Sequence, residues 1–236
     1  MRWDRIVIFI VLGGMLAGLI LLGNEAMCSR TEEEPKQTIV LTDTARTEEG
    51  WSEAEQWAKS VVRLEVFNSR GDRIATGSGF TAFDECFLIT ARHVIVNMDY
   101  MTATRDDGTS FRIDRVLAAD ADSDIAICAL PEDAGLTTLA FAEGTPPRGT
   151  KVVAIGSQFG ITNLVTEGIV SGTWSAENVT RILFTAPVSG GSSGGPLLTS
   201  SGAVIGIVTG TYEKGQNLNL AAAYEAARML CESIYD

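Results

Sequence analysis

The chain has 236 residues, of which 45% are hydrophobic and 20% charged, a balance that supports a folded two-lobed unit with an appendage rather than a disordered polymer. Its formal net charge of -12 repels phosphate backbones, and no dense run of Lys and Arg opposes that field, so nucleic acid is not expected as a partner. Cys28, Cys86, Cys128 and Cys231 stand at wide, irregular spacings that match no zinc or redox pattern, so no metal or cofactor is expected and disulfide pairing stays open.

The first element is the uncharged run from Ile6 to Gly23, preceded by Arg2 and Arg5. A helix of that length, at ~1.5 Å per residue, nearly spans a hydrocarbon core of about 30 Å. The arginines favour a cytoplasmic N-terminus, which makes residues 1–28 a membrane anchor and everything beyond it extracytoplasmic. A cleaved signal peptide is the alternative, disfavoured because the run is longer than a usual signal core and no small-x-small site follows. Lipoprotein processing at Cys28 is weaker still, since Met27 occupies the place of a small residue.

Residues 29–50 turn polar and acidic, with Glu32, Glu33, Glu34 and Pro35 and no apolar period, and read as a solvated linker. Trp51 to Lys59 then reads as a short helix, with Ser52 as N-cap and Glu55 in capping-box register. From Val61 the period becomes two: Val62, Leu64 and Val66 share one strand face and Arg63 and Glu65 the other. Strand-like runs recur at Phe87–Thr90, Phe111–Ile113, Ile125–Leu130, Val152–Ile155, Leu164–Val170, Arg181–Phe184 and Val204–Val208. Arg70-Gly71-Asp72 reads as a hairpin turn, and Gly77-Ser78-Gly79 as a bend. Short strands with frequent breaks predict an all-β barrel or sandwich, closed by a helix over about 221–234.

His93 is the single histidine, placed at the end of the apolar run Phe87-Leu88-Ile89-Thr90-Ala91-Arg92. A serine hydroxyl is a poor nucleophile until a neighbouring base takes its proton, and imidazole suits that task near neutral pH. The matching serine is Ser193, in Ser189-Gly190-Gly191-Ser192-Ser193-Gly194-Gly195-Pro196-Leu197. Its flanking glycines permit a sharp turn that lets the Gly191 and Ser193 N–H groups converge on an oxyanion. Asp124 opens the strand Ile125–Leu130 and completes the set as the orienting carboxylate; Asp120 and Asp122 compete for that role but do not directly precede the apolar run.

The order His, Asp, Ser and the local motifs resemble the trypsin-like serine proteases, in particular their HtrA (Deg) branch. The similar segments are Thr90–Val94, Ser123–Ala126, Val153–Gly160, Thr166–Gly172 and Gly191–Pro196. The resemblance implies two six-stranded antiparallel barrels, about 61–135 and 145–220, with the active site between them, in a protease domain covering 51–236. It implies polypeptide substrates, leaves room for homo-oligomers, and places the substrate-binding walls at Pro187, Val188, Ser189, Gly190, Thr209, Gly210, Thr211 and Asn219. None of these is a carboxylate, so no preference for Arg or Lys is expected. Three departures matter: Ser192 stands where relatives often carry Asn or Asp, Val94 rather than a cysteine directly follows His93, and a peptide-binding PDZ module beyond Asp236 is not expected. The expectation is therefore a membrane-anchored serine endopeptidase for extracytoplasmic quality control or regulatory cleavage; the rival from another class is a catalytically silent barrel serving as a tethered binding or assembly module.

Overall fold

The computed structural model describes residues 49–176, 179–212 and 217–235, so the apolar run Ile6–Gly23 and most of the acidic linker lie outside the described residues. Among the described residues, no helix is long and apolar enough to cross a membrane. Helix α1 spans Glu49–Ala58, beginning before the expected start, so Ser52 falls inside the helix and the capping-box reading does not hold.

Two β lobes follow. The first contains β1 (Val61–Phe67), β2 (Arg73–Thr81), β3 (Phe87–Ala91), β4 (Tyr100–Thr104), β5 (Ser110–Ile113), β6 (Val116–Asp120) and β7 (Ile125–Ala129). They hydrogen-bond in the order β5-β4-β1-β2-β3-β7-β6. The second contains β8 (Lys151–Gly156), β9 (Leu164–Ala176), β10 (Val179–Phe184), β11 (Pro196–Thr199), β12 (Val204–Thr211) and β13 (Asn219–Ala223), which close into a six-stranded barrel. Helix α2 (Tyr224–Glu232) ends the fold. The expectation of two six-stranded barrels is thus met by one lobe only. The first is a seven-stranded sheet whose outer strands β5 and β6 each pair on one side, giving an open half-barrel.

Alternation and continuous apolarity each have a cause. Val62, Leu64 and Val66 point into the first lobe with Leu88, Met101, Ala126 and Cys128. Phe87 and Ile89 of β3, and Ile125 and Ile127 of β7, point the other way, into a second core that also takes Ile155, Leu198, Val204 and Ile207 from the barrel lobe and Ala227 and Cys231 from α2. Strands buried on both faces lose the polar alternate, which is why β3 and β7 read as unbroken apolar runs. The barrel has its own interior of Val152, Val170, Ile182, Phe184, Leu197 and Val208. Each fully buried side chain of this size contributes on the order of 1.5–3 kcal/mol of transfer free energy.

Two local expectations change. Ala221–Ala223, read as the start of the last helix, pair with Arg181 and Ile182 on one side and Gly206–Val208 on the other. Barrel closure there outweighs the helix preference of alanine, as tertiary pairing routinely does. Gly77-Ser78-Gly79 is a stretch of β2 paired with Leu64, Arg63 and Val62, not a bend. The Arg70-Gly71-Asp72 turn is observed as expected: Asn68 Oδ1 accepts the Arg70 and Asp72 N–H groups at 2.9 and 3.0 Å, and Gly71 has φ +81.

Cys86, Cys128 and Cys231 are free thiols. Burial pushes Cys128 and Cys231 up to about 12, with Asp84 and Glu232 adding to the effect at Cys231. Cys86 is exposed, and its hydrogen bond with Asp84 raises it as well. A raised thiol pKa lowers the thiolate fraction at neutral pH, so alkylation continues to accelerate as the solution becomes alkaline. Of these three, Cys86 alone should react with iodoacetamide in the native protein; peptide mapping that finds Cys128 or Cys231 labelled at a similar rate would contradict this packing.

Candidate active site

His93 sits in a 3-10 turn, Arg92–Ile95, that leaves the end of β3, and Val94 and Ile95 anchor the turn in the first-lobe core. Asp124 lies immediately before β7, and the Arg92 N–H donates to its carbonyl at 3.0 Å. Its carboxylate takes two bonds from the same residue: Oδ1 accepts the His93 backbone N–H at 2.9 Å, and Oδ2 pairs with His93 Nδ1 at 2.7 Å. Both contacts together fix the imidazole against the carboxylate, with the His93 side chain 47% and the Asp124 side chain 23% exposed.

Asp124 has φ +61, a left-handed conformation that aspartate tolerates better than most residues. Its surroundings hold it there. Asp120 Oδ2 accepts the Ser123 N–H at 2.8 Å and also the Ser123 hydroxyl. Those bonds lower the Asp120 pKa, with Arg181 contributing by its charge. Arg181, at the third residue of β10, donates to the carbonyls of Ser123 and Asp122, the latter at 2.7 Å. The two acids that competed with Asp124 in the sequence therefore shape the loop that presents it.

Ser193 comes from the other lobe, on the loop before β11. Its carbonyl accepts the Ser78 N–H of β2 at 2.8 Å, so the Ser193 loop is stitched to the first lobe. Gly194 must be glycine: at φ +86, a Cβ would stand 2.2 Å from the Ser78 carbonyl oxygen and 2.8 Å from Ala91 N, the residue preceding the His93 turn. That close approach brings the Ser193 segment against the end of β3. Gly191, at φ +102, is constrained in the same way by the Ser157 carbonyl at 2.2 Å. Gly190 accepts the Phe159 N–H at 3.1 Å, and Ser192 N–H closes a turn onto the Ser189 carbonyl at 2.9 Å. Neither Gly191 N–H nor Ser193 N–H donates to another described residue.

Beside Ser193 is a cavity of about 240 Å³ lined by Val188, Ser189, Gly190, Ser192, Val208, Gly210 and Thr211. Of the expected walls, Val188, Ser189, Gly190, Gly210 and Thr211 are here. Pro187 and Asn219 line an adjoining cleft with Thr211, Tyr212 and Leu218 instead, while Thr209 donates its hydroxyl to the Leu220 carbonyl at 3.3 Å. The Asn219 amide is also committed, donating to the Ala186 carbonyl at 2.7 Å. Among the described residues, neither cavity is lined by a carboxylate.

Sequence reasoning missed Gln158, whose Nε2 donates to the Pro187 carbonyl at 3.2 Å and whose Oε1 accepts the Ser189 hydroxyl at 2.9 Å, bracing the pocket wall. It also missed Arg181 and Ser78, because each acts across a separation of tens of residues that no local pattern encodes.

Residues 77–207 match the trypsin-like peptidase domain. Serine protease HTRA1A of Danio rerio is 31% identical over 196 residues, covering 77% of this chain and 40% of that protein. A probable periplasmic serine endoprotease DegP-like of Rhizobium meliloti is 32% identical over 161 residues, covering 65% of this chain and 31% of that protein. The chain thus spans less than half the length of these curated relatives. Among solved structures, the HtrA-type protease AlgW with tripeptide superposes with a TM-score of 0.69 at 25% identity, over 78% of this chain and 63% of that one. The serine endoprotease from Yersinia pestis gives 0.68 at 25% identity, over 77% and 66%. With more than half of its length matched and its two lobes superposable on these proteases, the chain belongs to the trypsin-like peptidase domain family, with HtrA-type serine proteases among its relatives.

Proposed function

We propose that this protein is a serine endopeptidase that hydrolyses polypeptides through an acyl-enzyme, with His93, Asp124 and Ser193 as its catalytic triad. The observation that carries the reading is the double grip of Asp124 on His93, at 2.9 Å to the backbone N–H and 2.7 Å to Nδ1. A carboxylate on Nδ1 selects the tautomer in which Nε2 is the base, and it stabilises the imidazolium formed when the Ser193 proton is taken. Ser193 Oγ then attacks the scissile carbonyl. The negative charge that develops on the carbonyl oxygen is received by the Gly191 and Ser193 N–H groups. His93 returns the proton to the leaving amine, and water repeats the sequence to release the acyl group. Full-length action, in extracytoplasmic quality control or in a single regulatory cut, belongs to the same proposal and draws on the HtrA-type relatives.

Ser193→Ala and His93→Ala should each lower kcat by roughly a million-fold, and Asp124→Asn by less, because triad members act as a unit. Casein-type turnover and fluorophosphonate labelling of residues 45–236, which form one compact unit, provide the measurement. Equal labelling of wild type and Ser193→Ala would return the chain to the class of silent binding modules.

The cavity beside Ser193, whose described lining carries no carboxylate, supports a preference for small to medium aliphatic residues before the cleaved bond, since a buried cation would find no partner in that lining. Peptide-library profiling should show Val, Ala or Leu at that position. Dominant cleavage after Arg would overturn the assignment of this cavity.

The proposal also includes a membrane anchor at residues 6–23, for which the support is the uncharged run behind Arg2 and Arg5. On intact spheroplasts of an expressing cell, the protease domain should be digested by added protease. A domain protected until the membrane is dissolved would refute the topology.

A further inference from the structure

One first-lobe residue reaches the oxyanion loop. Ser78 of β2 is wholly buried, and every polar group it has is engaged. Its N–H donates to the Ser193 carbonyl at 2.8 Å, and its own carbonyl accepts the Thr90 hydroxyl at 2.7 Å. Its Oγ accepts the Ser157 N–H at 2.8 Å and donates to the Gly191 carbonyl at 2.7 Å. The direction of these last two bonds is fixed by chemistry: an amide N–H only donates and a carbonyl only accepts, so the single hydroxyl proton lies on the Gly191 side.

We propose that Ser78 is a positioning residue of the oxyanion hole, holding Gly191 so that its N–H stays directed at the oxygen of the tetrahedral intermediate. This rests on the peptidase reading above. Gly191 is flanked by two peptide units, and each is held at one point. The unit before it is held through the Gly190 carbonyl by Phe159 N–H at 3.1 Å, and the unit after it through the Gly191 carbonyl by Ser78 Oγ. Glycine rotates between positive and negative φ at little steric cost, so φ +102 persists because its neighbours impose it. In a trans peptide N–H and C=O point to opposite sides, so the grip on the Gly190 carbonyl sends the Gly191 N–H away from Phe159. Ser78 supplies the second grip, and it does so from the lobe that carries His93 and Asp124. The two halves of the machinery are thereby set against each other: the strand that pairs with β3 also gauges the oxyanion donor.

Removing the hydroxyl leaves the Gly191 carbonyl and the Ser157 N–H without a partner and frees the peptide after Gly191 to turn. Ser78→Ala should therefore lower kcat per active site, counted by exhaustive fluorophosphonate labelling, by about ten- to a hundredfold, short of the hundred- to thousandfold that follows outright loss of an oxyanion donor. KM should stay within about twofold. Affinity for a peptide aldehyde, whose adduct carries the oxyanion, should fall by the same factor as kcat/KM, and the pH profile of kcat should keep its shape because the His93–Asp124 pair is untouched. Ser78→Cys keeps a weak donor in the same place and should fall between wild type and Ser78→Ala, which also serves if the alanine variant does not fold. A folded variant whose kcat per site and aldehyde affinity both equal those of wild type overturns the proposal, as does a loss confined to KM. A wild type that neither labels nor turns over peptide overturns the peptidase reading itself, and the positioning role with it.

Discussion

The core shared by the two lobes is the constraint on which the site depends. His93 and Asp124 hang from β3 and β7, while Ser193 and its glycines precede β11. These elements meet because Phe87, Ile89, Ile125 and Ile127 face Ile155, Leu198, Val204 and Ile207 across one apolar layer. A shift of about 1 Å between lobes would be enough to misalign groups that must react with one another. Interiors packed at crystal-like density resist such shifts, because separating them exposes apolar area and opens voids. Helix α2 adds Ala227 and Cys231 to the same layer, so the end of the chain reinforces the junction rather than a single lobe.

Against that frame of packing, polar groups set the fine geometry. Asp124, Gly191 and Gly194 all sit at positive φ, and all three are clasped by residues distant in sequence. Arg181 reaches from the barrel to the carbonyls preceding Asp124, and Ser78 reaches from the sheet to the carbonyl of Gly191. The two ties run in opposite directions between the lobes. For Asp124 the left-handed backbone costs on the order of 1–3 kcal/mol and persists because its surroundings over-determine it, whereas the two glycines adopt positive φ at little steric cost. The concentration of such clasped residues here is what a site needing pre-organised donors would require.

Much of this was legible in the sequence where the physics is local. Period two in Val61–Val66 gave a strand, and unbroken apolarity in Phe87–Thr90 and Ile125–Leu130 gave two more whose burial on both faces explains their composition. His93 and Asp124 were singled out by their places beside the apolar runs Phe87–Thr90 and Ile125–Leu130, and Ser193 by its flanking glycines; the structure puts the first two beside β3 and β7 and the third on the loop before β11. Less legible were β2 and β13, since Gly77, Gly79 and Ala221–Ala223 carry little strand preference of their own and are recruited by partners on either side. Closure of the second lobe and openness of the first depend on which outer strands pair, a property of the whole sheet rather than of any window. Pocket lining was half legible: the glycine-rich wall at Ser189–Gly190 was found, but Asn219 turned its amide to the Ala186 carbonyl instead of the cavity beside Ser193.

Position 192 shows how the loop manages without the acid or amide common among trypsin-like relatives. Ser192 is buried, and its hydroxyl accepts the Ser189 N–H at 3.3 Å while its own N–H returns to the Ser189 carbonyl at 2.9 Å. The loop is thus tied to itself at Ser189, and Ser189 is tied outward through its hydroxyl to Gln158. Gln158 in turn holds the Pro187 carbonyl, and the following residue, Phe159, supplies the N–H that secures Gly190. A neutral chain of hydrogen bonds therefore holds the Ser189–Ser193 loop in place. Neutral bonds avoid the cost of burying a charge, which in a low-dielectric setting can exceed the Coulombic return. They also leave the loop's geometry dependent on the segment Ser157–Phe159, whose Phe159 side chain is 80% exposed at φ 55. The pocket wall, the Ser189–Ser193 loop and that exposed segment consequently form one hydrogen-bonded network, in which Phe159 takes part through its backbone N–H on the Gly190 carbonyl.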